Sequence, residues 1–262
     1  MADMNVVVCV KQIPDPATPG ALDPSTNYLK RDGKLILDDS DAYGVEMALQ
    51  LVTAAGGGEV TLVSMAPGSE TSGLRTGLAM GAAKAILVSD PSLAGSDALG
   101  TAKVLAAAIK RAEPELVIAA TESSDGYTGT VPEQIAAILG FPSITFAKSI
   151  VIADATAKVD RQTEAGYDEV SAPLPALISV TAGVVEPRYP SFKGIMAAKS
   201  KPVDTVTVAD LGLAADQVGQ AGARQEIVSV VAAEERQAGE IIEDDGESHL
   251  KIVQFLESQK VL

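Results

Sequence analysis

Short β-branched runs alternate along the chain with longer stretches whose apolar residues recur every three or four positions. Residues 5–10 read as a buried strand. Residues 40–52 read as a helix, with Val45, Ala48, Leu49 and Val52 on one face and Ser40 as its cap. The glycines Gly56, Gly57 and Gly58 close that unit. Strands at 60–63, 85–88 and 116–119 follow, separated by helices at 69–80 and 97–111. This alternation predicts βαβ units in a parallel sheet with right-handed crossovers. In the second helix, Gly73, Gly77 and Gly81 recur every four residues, which predicts close packing of that face on the sheet.

Beyond residue 119 the pattern changes. A polar loop over 121–129 leads into a helix at 132–139, where Thr130 and Glu133 fit a capping box and Pro132 sits in the first turn. Residues 144–152, 158–163, 169–171 and 176–181 are strand-like, some alternating as a half-exposed sheet does. From residue 213 the periodicity fades: residues 213–262 carry ten acids against four Lys or Arg, and only 250–262 predict a short amphipathic helix. The chain therefore divides into a folded domain over 1–212 and an acidic arm over 213–262, which has too few apolar anchors to fold without a partner.

Composition sharpens this picture. Apolar residues make up 47% of the 262 positions while aromatics make up 3%, which suits parallel strands beneath helices with small faces. A formal charge of −15 argues against nucleic acid as a main partner. The one cysteine, Cys9, lies in an apolar run and has no partner for a disulfide, as expected of a reduced, cytoplasmic protein. No apolar run is long enough to predict a membrane span, and the strand-like start predicts no signal peptide.

Sequence motifs for catalysis are missing. The chain has no phosphate loop of the G-x-x-x-x-G-K-[ST] type, no G-x-G-x-x-G after the first strand and no nucleophile elbow. The only histidine, His249, lies in the acidic arm and reads as a solvated side chain rather than a catalytic base or metal ligand. The chain is not expected to be an enzyme in its own right. Two segments stand out instead. Small and hydroxyl residues over 123–129, between a strand end and a helix start, leave backbone N–H groups and a helix dipole that favour phosphate, although an ordinary capped loop has the same look. The carboxylates Glu122 and Asp125 oppose a phosphate unless they are turned away or paired. The second segment, 186–201, carries four positive charges and one negative in an otherwise acidic chain, with Tyr189, Phe192 and Met196 among Pro, Ser, Lys and Gly. An aromatic with a basic rim fits a protein-docking loop better than a core element.

On this segment the chain becomes recognisable. Pro187-Arg188-Tyr189-Pro190-Ser191, followed by Ile195-Met196 and Ala198-Lys199, resembles the signature of electron transfer flavoprotein beta subunits. So do Val10-Lys11-Gln12-Ile13-Pro14-Asp15, the stretch from Arg75 to Ala82, Asp160-Arg161 with Glu164 and Gly166, and Leu174-Pro175-Ala176. The resemblance spans roughly residues 4–212. It implies a Rossmann-like, doubly wound α/β domain with helices on both faces of a mostly parallel sheet. It also implies a heterodimer with a larger alpha subunit, which the acidic arm wraps and which holds most of the FAD. Electrons would come from acyl-CoA and other dehydrogenases, as in fatty acid oxidation, and pass toward the respiratory chain through a quinone oxidoreductase.

Carried over by position, the resemblance implies AMP contacts at Cys9, Asp38, Asp39, Ser40, Asp41 and Met65. Further contacts fall at Ala120, Thr121, Glu122, Ser123, Ser124, Asp125, Gly126, Tyr127 and Thr128. Asp38 stands where some relatives have Asn, and Pro16 where some present an aromatic to the flavin. The partner-recognition loop would comprise Arg188, Tyr189, Pro190, Ser191, Phe192, Lys193, Gly194, Ile195, Met196 and Ala197, with Phe192 as the inserted anchor. Two alternatives stay open: a bifurcating-type subunit with a second FAD in the AMP site, and a free-standing adenine-nucleotide-binding protein of the universal-stress type.

Overall fold

The computed structural model describes every residue except 1, 2, 69, 232, 234–238, 240 and 245. The chain forms two compact units, Met1–Ile227 and Val228–Leu262. In the first, strands β1 (Met4–Cys9), β2 (Gln12–Pro14) and β3 (Leu35–Leu37) precede helix α1 (Asp39–Ala54). Then come β4 (Gly58–Met65), α2 (Ser72–Met80), β5 (Lys84–Val88), α3 (Ala98–Lys110), β6 (Leu116–Ala120) and α4 (Val131–Leu139). The antiparallel run β7 (Ser143–Ala153), β8 (Thr156–Thr163) and β9 (Gly166–Pro173) leads to β10 (Ala176–Val180), α5 (Phe192–Ala198), β11 (Val203–Val206) and the short α6 (Gly219–Gly222).

Among the described residues, nine strands form one sheet in the order β11-β5-β4-β1-β6-β10-β7-β8-β9, parallel from β11 to β7 and antiparallel beyond it. β2 and β3 pair separately as a small antiparallel ribbon. The chain winds outward from β1 through β4 and β5, then returns through α3 to β6 on the other side of β1. The carboxyl ends of β1 and β6 therefore diverge at a switch point, where α/β sheets open a crevice.

Alternation along β1 explains the two layers. Val6 and Val8 pack beneath α1 and α2, whereas Val7 and Cys9 pack beneath α3 and α4. Val6, Val7 and Val8 are fully buried, each worth about 1.5–3 kcal/mol of transfer free energy. The glycine face of α2 does lie against its neighbours. A Cβ at Gly77 would sit 2.7 Å from Leu62 of β4, and one at Gly73 2.9 Å from the backbone nitrogen of Leu37.

Several local expectations are corrected. The cap of α1 is Asp38, whose carboxylate accepts the Ser40 N–H at 3.0 Å. Ser40 already has helical geometry. Thr130 makes no side-chain cap at α4; its hydroxyl accepts from Gln134 at 3.2 Å instead. α2 begins at Ser72 rather than near 69, and Ser69 itself lies outside the described residues. Residues 213–227 pack with the first unit, with Val218 fully buried. The second unit contains α7 (Ser248–Ser258), which matches the terminal amphipathic helix; His249 is exposed. Parts of the acidic arm lie outside the described residues.

Candidate functional site

A cavity of about 640 Å³ opens at the switch point, above the ends of β1, β4, β5 and β6. Of the residues that the resemblance assigns to the nucleotide, Cys9, Asp41, Met65, Ala120, Thr121, Glu122, Ser123 and Thr128 line it. Val131 and Pro132, the first residues of α4, line it too, so a helix N-terminus faces the space. Its inner wall is apolar, with Ala66, Leu93, Leu105, Ala119 and Ile135.

Asp38, Ser40, Ser124 and Asp125 build the frame around the cavity. Asp38 is fully buried. One of its oxygens accepts from the Ser40 N–H and hydroxyl at 3.0 and 2.7 Å, the other from the Ser124 N–H and hydroxyl at 2.7 and 3.0 Å. The start of α1 is thereby tied to the polar loop. Asp39 is exposed, and Tyr127 is 70% exposed with a left-handed backbone at φ 47°. Gly126 lies close to the frame: a Cβ there would come within 3.1 Å of Ser123 Oγ and 3.4 Å of Lys11 Nζ.

Two cations that the sequence reading did not assign to the site, Lys11 and Arg31, resolve the problem of Asp125. Lys11 Nζ donates to Asp125 Oδ1 at 2.6 Å and to Ser123 Oγ at 3.0 Å, which engages two of its three donors. Arg31 pairs with Asp125 Oδ2. Burial works against the charge of Asp125, but Lys11 and then Arg31 outweigh it and hold the carboxyl below its usual range. Two positive groups therefore face the Asp125 carboxylate at the mouth of the cavity, whose lining also includes Asp41, Asp90, Asp97 and Glu122. Lys11 stands in the quoted Val10–Asp15 stretch and was available as a signal. Arg31 sits in a segment without periodicity, and nothing in the sequence tied it to residue 125.

Burial raises Asp41 well above the ordinary carboxylate value, opposed by the 2.6 Å hydrogen bond it accepts from the Lys11 N–H. Burial, with the charge of Asp41 adding to it, pushes the Cys9 thiol up to about 12. The thiol therefore stays protonated at pH 8, where a free cysteine is already partly thiolate. The native protein should thus resist iodoacetamide at pH 8 and react readily in denaturant. Fast alkylation of the native chain would contradict the burial of this thiol.

The second segment is partly helical. Ser191 caps α5, accepting the Gly194 N–H at 3.0 Å, and α5 lies on α2. A Cβ at Gly194 would collide with the backbone oxygen of Ala79, so glycine lets the two helices touch. The ends of the helices cap each other. Arg75 donates to the carbonyls of Ala198 and Lys201 at 2.7 and 2.8 Å, and Lys201 donates to those of Leu78 and Ala82 at 2.8 and 2.6 Å. Tyr189 is 94% exposed and Phe192 80%, with Ile195 and Met196 half exposed beside them and the chain of Pro190, Lys193 and Ala197 on the same surface. Phe192 is therefore not folded into the core.

The model of the electron transfer flavoprotein domain matches residues 26–211. The electron transfer flavoprotein subunit beta of Mycobacterium tuberculosis is 40% identical over 98% of this chain and 99% of its own length. The chain belongs to the electron transfer flavoprotein family. Its likeness to beta subunits extends beyond mycobacteria: that of Megasphaera elsdenii is 34% identical over 99% of this chain and 100% of its own. The caffeyl-CoA reductase-Etf complex subunit CarD of Acetobacterium woodii is 35% identical over 91% of this chain and 92% of its own. The family's α/β architecture is the one observed, and no helix among the described residues is long and apolar enough to cross a membrane.

Proposed function

We propose that this chain is the small subunit of a heterodimeric electron transfer flavoprotein, holding AMP in the switch-point cavity and docking dehydrogenases through the segment Arg188–Ala197. The observation that carries the nucleotide reading is the meeting of two cations, a helix start and a hydroxyl-bearing loop at one cavity. Lys11, Arg31, the first residues of α4 and the hydroxyls of Ser123 and Thr128 all line the cavity, whose inner wall is apolar; Glu122, Asp90 and Asp97 line it as well. Phosphate suits the cations, helix start and hydroxyls, and a purine the apolar wall. Ser123, Thr128 and Lys11 would hold the phosphate, with Asp38 and Asp125 keeping the loop and the cations in place. Cys9, Met65 and Ala120 would line the base, and Cys9 stays a neutral thiol there.

FAD, held chiefly by the larger subunit, supplies the redox chemistry. This chain contributes the structural nucleotide site and the surface against which an acyl-CoA or other dehydrogenase delivers electrons, which then pass toward a quinone oxidoreductase. A solution role in the cytoplasm fits that part. The second reading, a bifurcating-type subunit with FAD in this cavity, is favoured by the likeness to CarD of a caffeyl-CoA reductase-Etf complex. Against it, the residues lining the cavity include a single aromatic, Tyr28, to stack on a flavin.

Co-purification with the larger subunit, denaturation and chromatography of the released nucleotides test the reading. One FAD and one AMP per heterodimer are expected, and Gly126→Val should remove the AMP by crowding Lys11. Two FAD would transfer the assignment to the bifurcating type. An empty cavity in a wild-type heterodimer would end the nucleotide reading altogether.

A further inference from the structure

Arg188 opens the docking segment, and its half-exposed side chain has a buried partner. The guanidinium folds back onto Glu46 in the middle of α1, with Nε 2.6 Å from Oε2 and Nη2 2.9 Å from Oε1, a parallel fork. The Arg188 backbone N–H adds a third hydrogen bond to Oε2 at 3.3 Å, and Gln50 donates a fourth to Oε1 at 2.8 Å. Glu46 is 3% exposed. Burial opposes its ionisation, but the bonds from Arg188 and Gln50 outweigh that and hold its carboxyl below the usual range. A carboxylate sunk in a helix face that otherwise packs on the sheet is costly unless it is fully paired. Its pairing is met almost wholly by one residue of the docking segment.

We infer that Glu46 is a positioning residue for partner docking: it clamps the start of the segment through Arg188, as Arg75 and Lys201 fix its end, so that Phe192 is presented from a preformed helix. This rests on the reading of Arg188–Ala197 as the docking surface. Between the two clamps lie the exposed Tyr189, Phe192, Ile195 and Met196, which have little packing of their own to hold them. Presenting such side chains on an ordered backbone removes an ordering cost from each encounter. The clamp therefore acts on the association of the two proteins and leaves the electron-transfer step alone.

The test uses the intact heterodimer, reduced by an acyl-CoA dehydrogenase, and reads KM and kcat together with hydrogen exchange of the amides at 189–198. Glu46→Gln turns one acceptor into an N–H that opposes the guanidinium. It should raise the KM for the heterodimer about tenfold with kcat within about twofold, and speed exchange across the segment about tenfold. Glu46→Asp, which keeps the charge, should recover part of both effects. Arg188→Lys should resemble Glu46→Gln, because an ammonium cannot form the fork. These two variants also serve if Glu46→Gln folds poorly.

Unchanged exchange and unchanged KM in Glu46→Gln would overturn the inference. Phe192→Ala separates it from the reading beneath it. If Phe192→Ala raises KM while Glu46→Gln changes neither quantity, docking stands and the clamp falls. If Glu46→Gln speeds exchange while Phe192→Ala leaves KM unchanged, the clamp stands and the docking assignment falls.

Discussion

Asp38→Ala should lower the stability of the heterodimer by about 3 kcal/mol and strip it of bound nucleotide. Asp38 does two things with one buried carboxylate: it caps α1 through Ser40 and tethers the polar loop through Ser124. Losing a cap of this kind costs about 1 kcal/mol, and leaving the Ser124 N–H without its acceptor costs about 1–3 kcal/mol more. The tether also holds Ser124 beside Ser123 and Asp125, so the cation cluster loosens with it. Asp38→Asn is the informative partner. An amide keeps one acceptor oxygen, so it can retain the cap or the tether but not both, and should show about half the loss. Urea unfolding monitored alongside nucleotide release checks this. Equal stability of Asp38→Ala and wild type would remove Asp38 from the frame.

The contrast between what the sequence displayed and what it concealed follows the range of the interactions. β1, β4, β5, β6 and the first four helices were legible because each carries its own hydrophobic period, and the glycine face of α2 announced its close packing. The ribbon of β2 and β3 was missed: three residues per strand hold too little pattern, and Pro14 argues against a strand. β11 was missed as an edge strand whose Asp204 and Thr205 dilute it. α5 was read as loop because Gly194 sits inside it and Pro190 just before it, although Ser191 three residues ahead of Gly194 is a legible cap.

In the candidate site, the cavity is lined by residues that the resemblance singles out at strand ends, such as Cys9, Met65 and Ala120, and by Asp41 and loop residues such as Ser123 and Thr128. The cations that balance Asp125 were not recovered, since Arg31 and Asp125 lie 94 positions apart. Glu46 and Arg188 lie 142 apart, and a lone glutamate on a helix face looks solvated until its partner is seen. Composition marked Arg188 correctly as belonging to the unusual segment but gave it to the basic rim. The structure pairs its charge with the buried Glu46 while the side chain stays half exposed, beside the exposed Lys193 and Lys199.

Phe192→Ala should slow electron acceptance from a dehydrogenase by about 30-fold at sub-saturating heterodimer, the rate equivalent of about 2 kcal/mol for an aromatic anchor filling a partner's pocket. Assembly with the larger subunit and flavin content should stay unchanged. The side chain is 80% exposed and contributes nothing to the two clamps or to the contact of Gly194 with Ala79, so its truncation leaves α5 seated. Phe192→Leu should keep most of the rate, because the pocket on a dehydrogenase would be filled by an apolar side chain of similar reach. A tenfold loss in Phe192→Leu together with a normal rate in Phe192→Ala would point to a surface that merely tolerates small residues. A normal rate in both would end the reading of this segment as the docking surface, whatever the exposure of Tyr189, Ile195 and Met196. The measurement is a stopped-flow second-order rate, since a docking residue acts on encounter with the partner while the flavin stays where the larger subunit holds it.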